Sequence, residues 1–358
     1  MNKQIISRAP LRLGLAGGGT DLQLFSKSYG GNIVNLTIKK YIYCKIIPIK
    51  TKHILFESQD QNKITKYYFK EKRQRERKFH QNFLLENIYK YIRDKYNRNK
   101  NFPVKIITYS EVPSGSGLGG SSTLVVTVIS ALLKYLNKKI SKEKLAKEAV
   151  YIERNICKIP GGLQDQYAAV YGGLNFIIFK KKGFSVVVKK IKYKKNFLRL
   201  LESSIILFFY NKKRISSKVI NNQNKNIINK NYKTIAALIK LKKEAINLKK
   251  SIEKNNYKSF INTLKRGWIE KQKTSKFITN KKIIKIEKEI LRSGADSVKV
   301  SGAGGGGFFF ILSKLENRSK IIKYLKKQNG ILTETCNITL DGVETWDINE
   351  KRNSKSTL

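Results

Sequence analysis

The apolar positions of this chain change period several times, and each change marks an element. From Ile5 to Leu13 they form a β-like run broken at Pro10, which predicts a strand with an irregularity at the proline. Gly17-Gly18-Gly19 then force a tight turn, and Thr20 or Asp21 is placed to cap a short helix reaching Ser28. Segments 31–37 and 41–49 read as strands, the second in clear alternation. The charged stretch 51–77 reads as a further hairpin with a solvated loop. Leu84, Leu85, Ile88, Tyr91 and Ile92 recur at helical spacing, so 82–96 is an amphipathic helix. The β-branched and aromatic run 104–109 is a strand. The run 124–136 is apolar on every side and predicts a buried helix that opens at Ser121. A second helix, 141–156, turns Leu145, Ala149, Ile152 and Ile156 inward. Another helix opens after Gly161-Gly162 and stops at Gly172-Gly173, ahead of a strand at 174–180.

After Lys189 the composition shifts, which marks a second unit. Its strands are predicted at 205–210, 297–300, 308–312 and 333–340, and its helices at 234–253, 257–271, 281–293 and 316–328. The polar, low-complexity segment 212–232 reads as mobile, and the tail 351–358 as disordered. The expected architecture is α+β, with units at 1–190 and 191–350.

Charge changes this picture less than its size implies. Lys and Arg number 74 against 25 Asp and Glu, a formal net charge of +49 over 358 residues. Such a charge points to an anionic partner such as nucleic acid. The lysines, however, are spread along the chain beside many Asn and Ile residues, which share A/T-rich codons, and form no basic block. No basic aromatic motif of the single-strand readers stands out, so no specific nucleic-acid partner is expected. Cys44, Cys157 and Cys336 have no metal-like spacing and read as buried or free thiols in a reducing compartment. His53 and His80 are the only histidines, so a proton acceptor is expected to be a carboxylate. No apolar stretch reaches the length of a membrane span and no signal-peptide core is present, so a cytoplasmic location without membrane attachment is expected.

The chemistry concentrates at Glu111-Val112-Pro113-Ser114-Gly115-Ser116-Gly117-Leu118-Gly119-Gly120-Ser121-Ser122-Thr123, between a strand and a helix. Glycines let backbone approach a ligand closely, and the helix start directs free N–H groups and a positive dipole end at it. Such a place suits phosphate, and the hydroxyls of Ser121, Ser122 and Thr123 can serve phosphate oxygens or a hard cation. A Walker loop is excluded, because no lysine follows Gly119-Gly120. Gly115 to Gly120 fits G-x-G-x-x-G, but a dinucleotide fold needs a prompt return to a parallel strand, and a second helical segment follows instead.

Three carboxylates have two readings each. Asp21 is a helix cap or an acceptor for sugar hydroxyls beside the glycine turn. Glu153, near a helix end where the dipole disfavours it, pairs with a cation ligand or with Arg154 or a nearby lysine. Asp165, in the first turn of its helix, is a favourable terminal charge or a rigidly held base.

Three glycine motifs in order resemble the GHMP kinases, the family of galactokinase, homoserine kinase, mevalonate kinase and phosphomevalonate kinase. They are Ala9-Pro10-Leu11-Arg12, Pro113 through Gly117-Leu118-Gly119-Gly120-Ser121-Ser122, and Ser301-Gly302-Ala303-Gly304-Gly305-Gly306-Gly307. Further likeness to the family's heptose-phosphate kinases lies in Gly17 to Leu22, Gly161 to Ala169, Trp268 with Lys271, and Lys299 to Phe308. The resemblance implies a ribosomal-protein-S5-like N-terminal domain and a ferredoxin-like C-terminal one. It implies transfer of the ATP γ-phosphoryl group, with Mg2+, to the anomeric hydroxyl of a heptose 7-phosphate, towards nucleotide-activated heptose for surface polysaccharide. Another sugar-1-kinase of the family, such as one for fucose, is the alternative.

By the same resemblance, Asp165 and Arg12 are catalytic. Pro113, Gly115, Gly117, Leu118, Gly119, Gly120, Ser121, Ser122 and Thr123 bind the nucleotide. Gly18, Gly19, Thr20, Asp21, Gly162, Gln166, Lys271, Ser301, Gly302, Ala303 and Gly304 serve the sugar side. Ser122 and Glu153 hold the metal; Glu153 precedes Asp165 by twelve residues, the spacing found in galactokinases. Pro160 and Leu163 depart from the residues more usual in that turn.

Overall fold

A computed structural model describes residues 3–69, 83–181, 185–210 and 216–348. The first part of the chain comprises β1 (Gln4–Ala16), α1 (Gln23–Tyr29), β2 (Gly31–Pro48), β3 (His53–Ser58), β4 (Lys63–Tyr68), α2 (Phe83–Tyr96), β5 (Val104–Ser110) and α3 (Gly120–Tyr135). Next come α4 (Lys142–Val150), which continues as a π-helical turn Tyr151–Ile156, then α5 (Gln164–Tyr171), β6 (Leu174–Phe179) and β7 (Val186–Lys190). The rest comprises α6 (Lys195–Ser204), β8 (Ile205–Tyr210), α7 (Ser216–Ile228), α8 (Tyr232–Glu253), α9 (Tyr257–Gln272), α10 (Lys281–Arg292), β9 (Ser297–Val300), β10 (Gly307–Leu312), α11 (Leu315–Lys326), β11 (Gly330–Thr333) and β12 (Glu344–Ile348).

Two sheets organise the α+β fold. The first runs β12-β1-β2-β5-β3-β4, with β6 and β7 added beside the early half of β2. One face carries Ile5, Ala9, Ile33, Cys44 and Ile46 against the apolar sides of α2, α3, α4 and α5. Its other face, with Leu11, Leu13, Leu36 and Ile42, packs on Leu207, Phe209, Phe308 and Phe310 of the second sheet and on Ala245, Leu248 and Leu264 of α8 and α9. The second sheet, β11-β8-β10-β9, is antiparallel, and its β8 and β10 are buried on both faces. Alternation assigns its residues: Ile206, Phe208, Phe309 and Ile311 turn the opposite way, towards Ile283, Ile286, Ile321 and Leu325 of α10 and α11.

The irregularities matter for the site. Between Pro10 and Leu11 the partner on β2 jumps from Tyr41 to Ile38, so the two predicted strands are one strand with a bulge at Lys39 and Lys40. A second step, between Gly14 and Ala16, leaves Leu15 as the extra residue of β1. Such bulges bend a strand and free backbone groups from the ladder.

Several local expectations change. Leu22, not Thr20 or Asp21, precedes α1, and no side chain caps it. Thr20 instead donates its hydroxyl to the Asn32 carbonyl at 3.0 Å. Helix 141–156 is α-helical only to Val150, and Glu153 rides on the π turn. Most of the supposedly mobile segment 212–232 is α7, whose Val219, Ile220, Gln223 and Ile227 are buried. The chain also forms β7 and α6, which the apolar pattern had not marked. Of the predicted strand 333–340 only Thr333 lies in a strand, as the end of β11; the rest is irregular, joined to β2 by a bridge between Ile38 and Ile338 and neighbouring hydrogen bonds, and the last strand is β12. Burial of Cys336 and Ile338 mimicked strand alternation there. His80 and the tail 351–358 lie outside the described residues.

Candidate active site

β1, the loop before α3, and the start of α5 converge on one cleft of about 430 Å³. Its wall includes Ser58, Gln61, Leu84, Thr108 and Pro113, and also Gly18, Asp21, Ile220, Gln223 and Lys271. Arg12, Gly117, Gly119, Ser121, Ser122, Glu153 and Asp165 line it too.

Arg12 links the pieces. Its backbone N–H donates to the Leu118 carbonyl at 3.1 Å, and its Nη1 donates to the Gly117 carbonyl at 2.6 Å. Nε and Nη2 both meet Asp165 Oδ1 at 2.7 Å, with the Arg12 side chain only 5% exposed. Asp165 keeps 20% of its side chain accessible at the cleft. A Cβ on Gly119, which sits at φ +85°, would lie 3.4 Å from Asp165 Oδ2. The acid is therefore against the glycine loop, and the positive φ there is one that glycine adopts without strain. Its place in the first turn of α5 is one where a terminal negative charge is favourable.

Behind the loop, Glu153 is 1% exposed and fully engaged. Ser121 Oγ donates to its Oε1 at 2.8 Å, Ser122 Oγ to its Oε2 at 2.7 Å, and Gln166 Nε2 to Oε2 at 2.6 Å. Arg154 Nη1 stands 3.1 Å from Oε1. Arg154 also donates to the carbonyls of Ile159 and Gly162, and so shapes the turn before α5. Glu153 and Arg154, adjacent in sequence, both reach this point from the π turn, a feature frequent at functional sites. The arrangement is a buried carboxylate bonded by two hydroxyls in the cleft wall, that of Ser121 exposed and that of Ser122 buried, a hard-oxygen set. No cluster of three or more His, Cys, Asp or Glu residues that could hold a metal occurs among the described residues.

Elsewhere in the cleft wall, Asp21 accepts from the Gly19 N–H at 3.0 Å and from the Gln164 N–H and Nε2 at 3.2 Å. Gly162 packs so close that a Cβ there would sit 1.9 Å from Asp21 Oδ2. Lys271 Nζ donates to the Gly18 carbonyl at 3.0 Å, and Gln223 Nε2 donates to Thr274 Oγ1 at 2.6 Å.

Not every expected residue faces the cleft. Pro113, Gly115, Gly120, Gly162, Gly302 and Ala303 do. Thr20, Leu118, Thr123 and Gln166 are buried behind it, and Gln166 serves Glu153 and Ser122 instead. Ser301 donates to the Gly117 carbonyl at 3.1 Å, and Gly304 packs on Ile278, so the third glycine motif buttresses the central loop. Gln164, Gln223 and Lys299 were not assigned roles from sequence, because their partners lie up to 285 residues away, whereas the pairing of Arg154 with Glu153 was among the expected readings. The three thiols are buried, and burial pushes those of Cys157 and Cys336 up to about 12, so none is a ready nucleophile. Among the described residues no helix is long and apolar enough to cross a membrane.

A glycine loop opens a helix here with a carboxylate held on it by an arginine, and the chain is a phosphotransferase that belongs to the GHMP kinases. Residues 82–173 match the GHMP kinases N terminal domain and residues 248–331 the GHMP kinases C terminal domain. The chain is 37% identical to D-glycero-alpha-D-manno-heptose 7-phosphate kinase of Campylobacter jejuni, over 97% of this chain and 100% of that one. The crystal structure of a D-glycero-D-manno-heptose 1-phosphate kinase from Bacteriodes thetaiotaomicron superposes with a TM-score of 0.79 at 30% identity, covering 97% of this chain and 100% of that one. Lactococcus lactis galactokinase, at 14% identity and a TM-score of 0.74 over 95% of each chain, shares the fold.

Proposed function

We propose that the chain transfers the γ-phosphoryl group of ATP to the anomeric hydroxyl of D-glycero-D-manno-heptose 7-phosphate, forming the 1,7-bisphosphate and ADP. The observation that carries this reading is Asp165, fastened by Arg12 to the rim of the glycine loop and accessible in the wall of the cleft. The full-length likeness to a heptose 7-phosphate kinase supports the substrate. ATP is the family's donor; its base takes the part of the cleft near Leu84 and Thr108, and the sugar takes the part near Asp21 and Lys271. Residues 1–190 and 191–350 are the two domains, with β12 returning to the first. The need for ATP places the work in the cytoplasm, and the dispersed lysines call for no nucleic-acid partner.

The residues account for the step. Backbone N–H groups from Gly117 to Ser122 and the dipole of α3 hold the phosphates. Asp21, rigid through Gln164, accepts from a sugar hydroxyl and orients the ring. Asp165 takes the proton from the anomeric oxygen as that oxygen bonds to the γ-phosphorus and the bond to the ADP oxygen breaks. An anomeric hydroxyl is more acidic than an ordinary alcohol, so a carboxylate suffices. Arg12 stabilises charge developing on the transferred group. The oxygens of Ser122 and Glu153 fit Mg2+, which when bound neutralises phosphate charge.

Incubation with ATP, magnesium and a sugar panel, followed by phosphorus NMR, tests the reading. The panel holds heptose 7-phosphate, heptose 1-phosphate, unphosphorylated heptose and fucose. A new anomeric phosphate on the 7-phosphate alone is expected. Preference for fucose or for the unphosphorylated sugar would overturn the assignment.

A further inference from the structure

The second bulge of β1 creates a problem that a distant side chain solves. With Leu15 extra, the carbonyls of Gly14 and Leu15 leave the regular ladder, and buried backbone acceptors need partners. Lys299 of β9 supplies both, with Nζ at 2.7 Å from the Gly14 oxygen and 2.8 Å from the Leu15 oxygen. This one ammonium thus fastens the second sheet to the segment that leads from Arg12 into the Gly17-Gly18-Gly19 turn and Asp21. Gly14 itself faces Gln164, whose Oε1 would stand 3.5 Å from a Cβ there, and Gln164 is what holds Asp21.

We propose that Lys299 is a positioning residue for phosphoryl transfer, which sets Arg12 and Asp21 on the bent end of β1 and contributes a cation that anionic ligands of the cleft stabilise. The inference rests on the kinase reading above. Burial first, then the charges of Lys271 and Arg12, pushes the Lys299 ammonium down to about 7. Of the elements packed on β9, β10 and α10 present Phe309, Phe310, Ile286 and Ile290 to the core. α9 adds Lys271 and β1 adds Arg12, so the charges that face Lys299 are cations. An incoming phosphate group offsets Lys271 and Arg12, so it favours the protonated lysine. A neutral amine retains two N–H donors, enough for both carbonyls. The tie therefore survives deprotonation and the charge does not.

The test compares the full-length wild type with Lys299→Arg and Lys299→Met. Kinetics with ATP and heptose 7-phosphate are followed from pH 6.5 to 9.5. Lys299→Met should lower kcat by about tenfold or more while the KM for ATP stays within about twofold. Lys299→Arg should restore most of kcat at pH 7 and remove the alkaline decline, since a guanidinium does not titrate there. Calorimetry at pH 8, in buffers of different ionisation enthalpy, uses the non-hydrolysable ATP analogue adenylyl imidodiphosphate. The wild type should take up a fraction of a proton that both variants lack. Identical pH profiles for wild type and Lys299→Arg, or equal proton uptake in wild type and Lys299→Met, would overturn the inference. If Lys299→Met fails to fold, the Arg profile alone decides. A wild type that leaves heptose 7-phosphate untouched sinks the substrate reading instead, and the calorimetric comparison still judges Lys299.

Discussion

Replacing Asp165 by asparagine separates charge from shape. Asp165 Oδ1 meets Arg12 through two contacts of 2.7 Å, while Oδ2 lies towards Gly119 and the cleft. An asparagine in its place would be nearly isosteric and could keep an acceptor for Arg12, yet it would have no basic oxygen. Loss of a positioned proton acceptor costs roughly 10²–10⁴ in rate, or about 3–5 kcal/mol of barrier. The effect on folding should be far smaller. The Arg12 side chain is only 5% exposed, so the variant keeps its fold because the asparagine carbonyl still accepts from Arg12 and the cleft leaves 20% of the residue 165 side chain accessible to water. ADP release at saturating ATP and sugar measures kcat, and calorimetry with an ATP analogue measures nucleotide binding. The expected variant is folded, binds ATP normally and turns over at least about a hundredfold more slowly. Turnover within about threefold of the wild type would remove Asp165 from the reaction. Loss of nucleotide binding equal to the loss of turnover would instead assign it to the ATP site.

Three further outcomes follow from the geometry. Glu153→Gln should raise the magnesium concentration for half-maximal activity by about tenfold or more, since a neutral amide is a poorer hard-oxygen donor; an unchanged metal titration would count against Glu153 as a ligand. Gly162→Ala places a methyl 1.9 Å from Asp21 Oδ2, so the KM for the sugar should rise about tenfold or more while ATP binding persists, and an unchanged sugar KM would separate Asp21 from the acceptor. Because Lys299 is depressed in the folded state from 10.5 to about 7, the unfolded chain binds more protons between those values. The ligand-free protein should therefore gain thermal stability as pH rises through that window, by more than Lys299→Met gains, and a parallel response in the two would contradict the burial of that charge.

How much of this was legible in the sequence depended on whether the signal was local. The glycine loop and its buried helix announce themselves, because loop glycines and an all-round apolar helix sit side by side between 115 and 133. The two-sided burial of β8 and β10 was visible as unbroken apolar runs. α7 was not, since four buried residues lie among Asn, Lys and Ser that imitate a solvated linker. Its role as a cleft wall comes from Ile220 and Gln223 meeting elements distant in sequence. The Glu153 π turn was hidden too: helical spacing predicts where side chains point only while the helix keeps its period. Asp21 was readable as a cap because caps are local, and it does accept from the Gly19 N–H, whereas its other partner, Gln164, is 143 residues away. Site chemistry was thus readable as residue types, and the scaffold that aims those residues was not.

The pairing of β12 with β1, from Gln4 opposite Ile348 to Arg8 opposite Glu344, ties assembly to translation. Until residues 344–348 leave the ribosome, the outer edge of β1 has no neighbour, although everything else in that sheet has already been made. The nascent chain must hold an unsatisfied strand border through the synthesis of its entire second half, and such borders recruit other chains. Loss of the last strand by truncation or proteolysis would reopen that border and favour aggregation over mere inactivity.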